Sequence, residues 1–111
     1  MKLILAIVQK DDEAETIEEL NKKHFFVTRL STTGGFLKGK NATLLIGTDE
    51  SQVDKALAII KKKAGSRKTI HYTTPQMESG AVPNINMSAP LDVDTGGATV
   101  FVIDMDQFHK F

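Results

Sequence analysis

The hydrophobic and polar positions of this chain fall into short runs that alternate between two periods. Residues 2–9 are apolar between charged ends and hold no Gly or Pro, which predicts a strand. Both of its faces are apolar, Leu3, Leu5 and Ile7 on one and Ile4, Ala6 and Val8 on the other, as in a strand covered on both sides. Residues 12–23 then change to a helical period. Asp11 suits the N-cap, Asp12, Glu13 and Glu15 favour the positive end of the helix dipole, and Ala14, Ile17 and Leu20 form a narrow apolar stripe. Residues 25–33 and 41–47 read as two strands joined by a short glycine-containing connection, 34–40.

A second helix is predicted over 51–64, capped by Asp49 or Ser51. Val53, Leu57, Ile60 and Ala64 mark one face with Ala56 beside them. Lys61-Lys62-Lys63 complement the last turn, and Gly65 is the stop. Residues 68–72 suit a short strand. From 73 to 90 the chain changes character, with Thr73-Thr74-Pro75, Gly80, Pro83-Asn84 and Pro90, and predicts a long flexible loop. Residues 91–94 and 97–103 return to strand, interrupted by Gly96-Gly97. The order strand, helix, strand, strand, helix, strand predicts an α+β domain over 1–111, a ferredoxin-like βαββαβ sandwich. Right-handed crossovers place both helices on one sheet face. The other face is left bare although its strands are apolar, and such a patch calls for a cover. A second copy of the chain is the simplest cover, so the pattern predicts a homo-oligomer.

Composition narrows the possible chemistry. Lys plus Arg number 14 and Asp plus Glu 14, so the long-range positive field of a non-specific nucleic-acid binder is missing. With no cysteine there is neither a disulfide framework nor thiolate chemistry. His24, His71 and His109 are far apart, which argues against a metal site. They also lack a triad partner, and no paired carboxylates sit in a glycine-rich context, so no enzyme active site is expected. The N-terminal apolar run ends at Gln9 and Lys10. A secretory segment needs about 7–15 apolar residues and a membrane span about 20, so a cytoplasmic protein is expected.

The segment Thr32-Thr33-Gly34-Gly35-Phe36-Leu37, followed by Asn41, carries the candidate chemistry. Adjacent glycines let backbone approach a ligand closely. Hydroxyls, exposed amide N–H groups, a flat apolar ring and a side-chain amide are the parts of a nucleotide pocket. The same glycines also fit a plain hairpin turn.

The chain resembles the PII-like cyclic-di-AMP receptor family of Gram-positive bacteria over nearly its whole length. The resemblance is carried by Ala6-Ile7-Val8-Gln9, Thr32-Thr33-Gly34-Gly35-Phe36-Leu37, Asn41, Gly47, Gly96-Gly97-Ala98-Thr99-Val100-Phe101-Val102, and Phe108-His109 with Phe111. It implies a non-enzymatic homotrimer that binds cyclic-di-AMP in clefts between subunits and signals through flexible loops to an unknown downstream protein. No cofactor is implied. By position, Asn41 would pair with an adenine edge and Thr28 would bond a phosphate. Phe36 and Phe101 would offer apolar or stacking surface, with Phe101 equally suited to the trimer core. Gly35 and Leu37 would offer backbone groups, and Gly47 would leave room beside the base.

Two positions depart from the family pattern. Phe26 stands where a basic residue usually helps hold phosphate, and Lys110 stands where an amide is common. Arg29 would lie on the opposite strand face if the strand is regular, which leaves Lys110 as the candidate replacement cation. An alternative reading keeps the trimer but makes it an interaction adaptor that binds a different nucleotide, or none.

Overall fold

The computed structural model describes residues 1–30, 40–72 and 90–111. The first strand, β1, spans Lys2–Gln9 and runs directly into helix α1, Lys10–Lys22. The helix therefore starts before Asp11, and its preceding residue is Gln9, in extended conformation and without a side-chain cap. The Lys10 N–H finds its partner in the Lys40 carbonyl at 2.8 Å, and Asp11, Asp12 and Glu13 fall in the first turn, where the helix dipole favours them. Of the expected apolar stripe, Leu20 is buried and Ile17 packs against the core, but Ala14 is exposed, and Asp12, Glu13 and Thr16 are buried beside Leu20. The two acids are neutralised from outside the helix: Glu13 pairs with Arg29, and Asp12 with Arg67. Thr16 donates its hydroxyl to the Asp12 carbonyl at 2.7 Å.

The helix ends on His24, at φ 68°. The Phe25 N–H reaches back to the Leu20 carbonyl and the His24 N–H to that of Asn21, both at 3.0 Å, which is the Schellman stop normally built on glycine. Its accompanying hydrophobic contact joins the buried Phe25 and Leu20.

Strands β2, Val27–Leu30, and β3, Asn41–Thr48, follow. After a single 3-10 turn at Glu50–Gln52 comes helix α2, Val53–Ala64. Its buried residues are Val53, Ala56, Ile60 and Ala64, close to the predicted face, with Leu57 half-buried. Gly65 ends it in extended backbone (φ −68°). Glycine is needed there for space, because a Cβ would lie 2.3 Å from the Lys61 carbonyl oxygen. Then come β4, Arg67–Tyr72, β5, Pro90–Thr95, and β6, Ala98–Asp104.

Four strands form an antiparallel sheet in the order β2-β3-β1-β6. With both helices on one face, it is compatible with a ferredoxin-like fold. Segments 91–94 and 97–103 are not one interrupted strand. β5 pairs with β4 in a separate two-stranded ribbon, and β6 pairs with β1. The divide is at Gly96 and Gly97, at φ +78° and +116°, where the backbone turns from one sheet into the other. Most of the predicted 73–90 loop lies outside the described residues, and Pro90 already belongs to β5.

The register assigns the faces. Ile4, Ala6 and Val8 of β1 lie opposite Ile46, Leu44 and Ala42 of β3, and all six are buried against the helices. Leu3, Leu5, Ile7 and Leu45 face the other way and are half-buried, while Phe101 and Ile103 of β6 are 50% and 48% exposed. This is the bare apolar face that the alternation predicts.

At one end of the sheet Lys2 lies opposite Asp104 and forms an ion pair with it. Hydrogen bonding and charge from Lys2 hold the Asp104 carboxyl below the usual carboxylate range. A lowered native pKa stabilises the fold at neutral pH, and that contribution is lost as pH falls through the lowered value. In an NMR titration Asp104 should show a midpoint below that of a free aspartate, and Lys2→Ala should return it to the ordinary range. A midpoint unmoved by Lys2→Ala would remove the pair as the cause.

Candidate ligand cleft

The tail after β6 builds a cleft on the open sheet face. The Met105 N–H donates to the Met1 carbonyl at 3.2 Å, extending the β1–β6 ladder by one pair, and the chain bends at Asp106 just beyond it. The Phe108 ring then sits over Gly47, where a Cβ would lie 3.3 Å from its Cε2. Gly47 thus leaves the space on the sheet that the edge of the Phe108 ring occupies. The resulting cleft has a volume of about 760 Å³, and its lining includes Phe26, Thr28, Leu45, Gly47, Phe108 and Lys110.

Lys110 Nζ lies 4.3 Å from the centroid of the Phe26 ring, a cation–π contact that fixes the ammonium at the cleft. Phe26 is otherwise 76% exposed. Outside the cleft's centre the tail is held by its own contacts. His109 and Phe111 stack at 5.8 Å, and the His109 ring nitrogen and Gln107 Oε1 are 2.9 Å apart. Chemically the cleft offers a hydroxyl, a cation and aromatic surface, which together suit a phosphate carried beside a flat ring.

Of the predicted residues, the structure brings together Phe26, Thr28, Gly47 and Lys110. Arg29 lies on the helix side, as strand alternation requires, and pairs with Glu13 of α1. Gly35, Phe36 and Leu37 lie outside the described residues. Asn41 and Phe101 share the open face but not the cleft. Asn41 opens β3, opposite Gln9. It is six residues from Gly47, about 20 Å along an extended strand. Phe101 continues the cross-strand row Thr28–Leu45–Leu5–Phe101, and three strand spacings put it about 14 Å from Thr28.

Two residues of this face, Gln9 and Phe108, stand in the motifs that carry the resemblance but have no contact assigned to them there. Phe108 was only part of a tail motif, and its seat on Gly47 exists only once the tail has bent. Gln9 closed an apolar strand, yet its Oε1 accepts the Gly96 N–H at 3.2 Å beside Asn41. Among the described residues no group of three or more His, Asp or Glu is placed to hold a metal ion, and no helix is long and apolar enough to cross a membrane.

Comparison with known proteins fits this geometry. The chain is similar to a functionally unknown protein from Pediococcus pentosaceus ATCC 25745, known from its crystal structure. The two are 38% identical, with a TM-score of 0.76, over 99% of this chain and 96% of the other. The family model for the cyclic-di-AMP receptor matches residues 1–111. From the first residue to the last, the chain therefore belongs to the cyclic-di-AMP receptor family.

Proposed function

We propose that this protein is a non-enzymatic cyclic-di-AMP sensor in the cytoplasm, a homotrimer with its ligand held between subunits. The observation that carries the proposal is the meeting of Thr28 and Lys110 in one open-face cleft beside Gly47. Cyclic-di-AMP presents two phosphates and two adenines. The cleft of one copy supplies a hydroxyl and a cation for phosphate, with Phe26 holding the cation in place. In this reading Lys110 replaces the basic residue missing at position 26. Asn41 binds an adenine edge through its donor and acceptor, and Gly35, Phe36 and Leu37 complete the wall. Phe101, about 14 Å from Thr28 within one copy, comes from the neighbouring copy. The bare apolar face supports that assembly, because trimer formation would cover Phe101 and Ile103. A partner protein would read the occupied state at the segment between β4 and β5.

A thermal-shift panel of cyclic-di-AMP, cyclic-di-GMP and ATP tests the sensor reading. At a ligand concentration about 100 times the dissociation constant, a specific ligand adds about 2.7 kcal/mol. Cyclic-di-AMP should raise the melting temperature by several degrees and the other two much less. In calorimetry Lys110→Ala should weaken cyclic-di-AMP about tenfold or more, the worth of one charge-assisted phosphate contact. Unchanged affinity in that variant would remove Lys110 from the site. No shift with any of the three nucleotides would replace the sensor by an interaction adaptor.

A further inference from the structure

We propose that the β4–β5 ribbon is a hinged arm, latched to the body by Asp12–Arg67 and Gln9–Gly96, and that a ligand bound beside Asn41 releases it. The release half rests on the cyclic-di-AMP reading. The hinge is visible in the two feet of the ribbon. The chain enters β4 through Gly65, and it leaves β5 through Gly96 and Gly97, both in the left-handed region of φ. Glycines at both feet let the backbone change direction without a side-chain clash.

The pivot itself is pinned by the Gly97 N–H, which donates to the Ala64 carbonyl at 2.9 Å, and two further contacts latch the ribbon to α1 and β1. Arg67 Nη2 donates to Asp12 Oδ1 at 2.6 Å and Nη1 to Asp12 Oδ2 at 3.3 Å, and Nη1 also donates to the Gly65 carbonyl at 3.1 Å. The guanidinium thus ties one foot of the ribbon to the first turn of α1. Asp12 is only 6% exposed with the guanidinium in place, so opening the arm breaks a two-pronged ion pair shielded from water. That penalty keeps the latch closed. Gly96 is fitted to it, since a Cβ there would lie 2.4 Å from the Gly65 oxygen and 2.6 Å from Arg67 Nη1.

The second contact connects the latch to the candidate site. The Gly96 N–H donates to Gln9 Oε1, and Gln9 lies directly across the ladder from Asn41 on the open face. A base edge pairing with Asn41 also meets the Gln9 amide. A ligand that turns the Gln9 side chain toward Asn41 to use its amide draws Oε1 off the Gly96 N–H. Ligand and latch compete for the same group, so binding favours the released arm and a released arm favours binding.

The test compares the full-length chain with Arg67→Ala and Asp12→Asn by hydrogen exchange and calorimetry. Without nucleotide, both variants should exchange the amides of 67–72 and 91–95 about tenfold or more faster than the parent, with β1 and β3 unchanged. Saturating cyclic-di-AMP should move the parent's ribbon amides toward the variants' rates. Arg67→Ala, already unlatched, should bind cyclic-di-AMP about fivefold or more tightly. Parental ribbon exchange in both variants overturns the latch, and equal or weaker nucleotide binding by Arg67→Ala overturns the release. If the parent takes up no cyclic-di-AMP, the sensor reading and the release fall together, while the nucleotide-free exchange comparison still decides the latch.

Discussion

Replacing Phe101 by aspartate is expected to convert the proposed trimer to monomers and to remove cyclic-di-AMP binding in the same step. Phe101 is half exposed in the single chain and stands beside Ile103 and Leu5 on the bare face. Burying such a ring contributes about 1.5–3 kcal/mol per subunit. Three copies do so at once in a trimer, and a carboxylate in the same place adds the cost of taking a charge out of water. Because Phe101 and Thr28 would reach one ligand from different subunits, losing the assembly also splits the site, and affinity should fall about 100-fold or more. Sedimentation and calorimetry on the same preparation read both effects. A Phe101→Asp protein that stays trimeric with parental affinity would refute the inter-subunit site. Phe101→Leu separates the two roles of the ring: a core-packing residue tolerates leucine, whereas a base platform loses affinity while the trimer persists.

Leu44→Ala should be a strongly destabilising truncation of the core. Leu44 is fully buried, with Ala6 opposite it in β1 and Arg29 opposite in β2. Removing a buried leucine side chain costs about 2–5 kcal/mol, through lost transfer energy and the cavity left behind. Domains of this kind have about 5–15 kcal/mol in total, so the urea midpoint should fall by a large fraction. Its neighbour Leu45 lies on the open face and is half-buried. Measured at concentrations where the chain is monomeric, Leu45→Ala should cost well under half as much. Equal losses at the two positions would contradict the assignment of the faces.

Those two leucines also show how the fold could be read from the sequence. A period of two assigned Ile4, Ala6 and Val8 to one side of β1 and Leu3, Leu5 and Ile7 to the other. The pairing with β3 buries the first set beneath both helices. The α2 face was equally legible, because its apolar residues recur at helical spacing without rival signals. The α1 face was not. Asp12 and Glu13 look like solvated residues until Arg67 and Arg29 arrive from distant positions to neutralise them. The stop at His24 was hidden for a related reason. A left-handed residue that is not glycine carries no local mark, and it is held by the Phe25–Leu20 contact and two backbone bonds.

The candidate site divides in the same way. Alternation alone put Thr28 and Arg29 on opposite faces. The family pattern singled out Gly47 and Lys110, but nothing in the sequence told that Phe108 lies on Gly47 or that Lys110 lies over Phe26. Both contacts depend on the tail bending at Asp106, just beyond the last bond of the β1–β6 ladder.

By itself, the sequence determined the strand and helix alternation, the two faces of the central strands and the expectation that one apolar face needs a cover. These follow from side-chain period and burial, which are local properties of neighbouring residues. Only the tertiary structure decided which ions neutralise α1, that 90–95 leaves the main sheet to form a ribbon with 67–72, and that Gln9 holds Gly96 beside Asn41. The physical reason is range. A hydrogen bond or ion pair acts over about 3 Å, and Arg67 and Asp12 are separated by 55 residues of chain and Gly96 and Gln9 by 87, so neither contact has a trace in either segment until the fold brings them together.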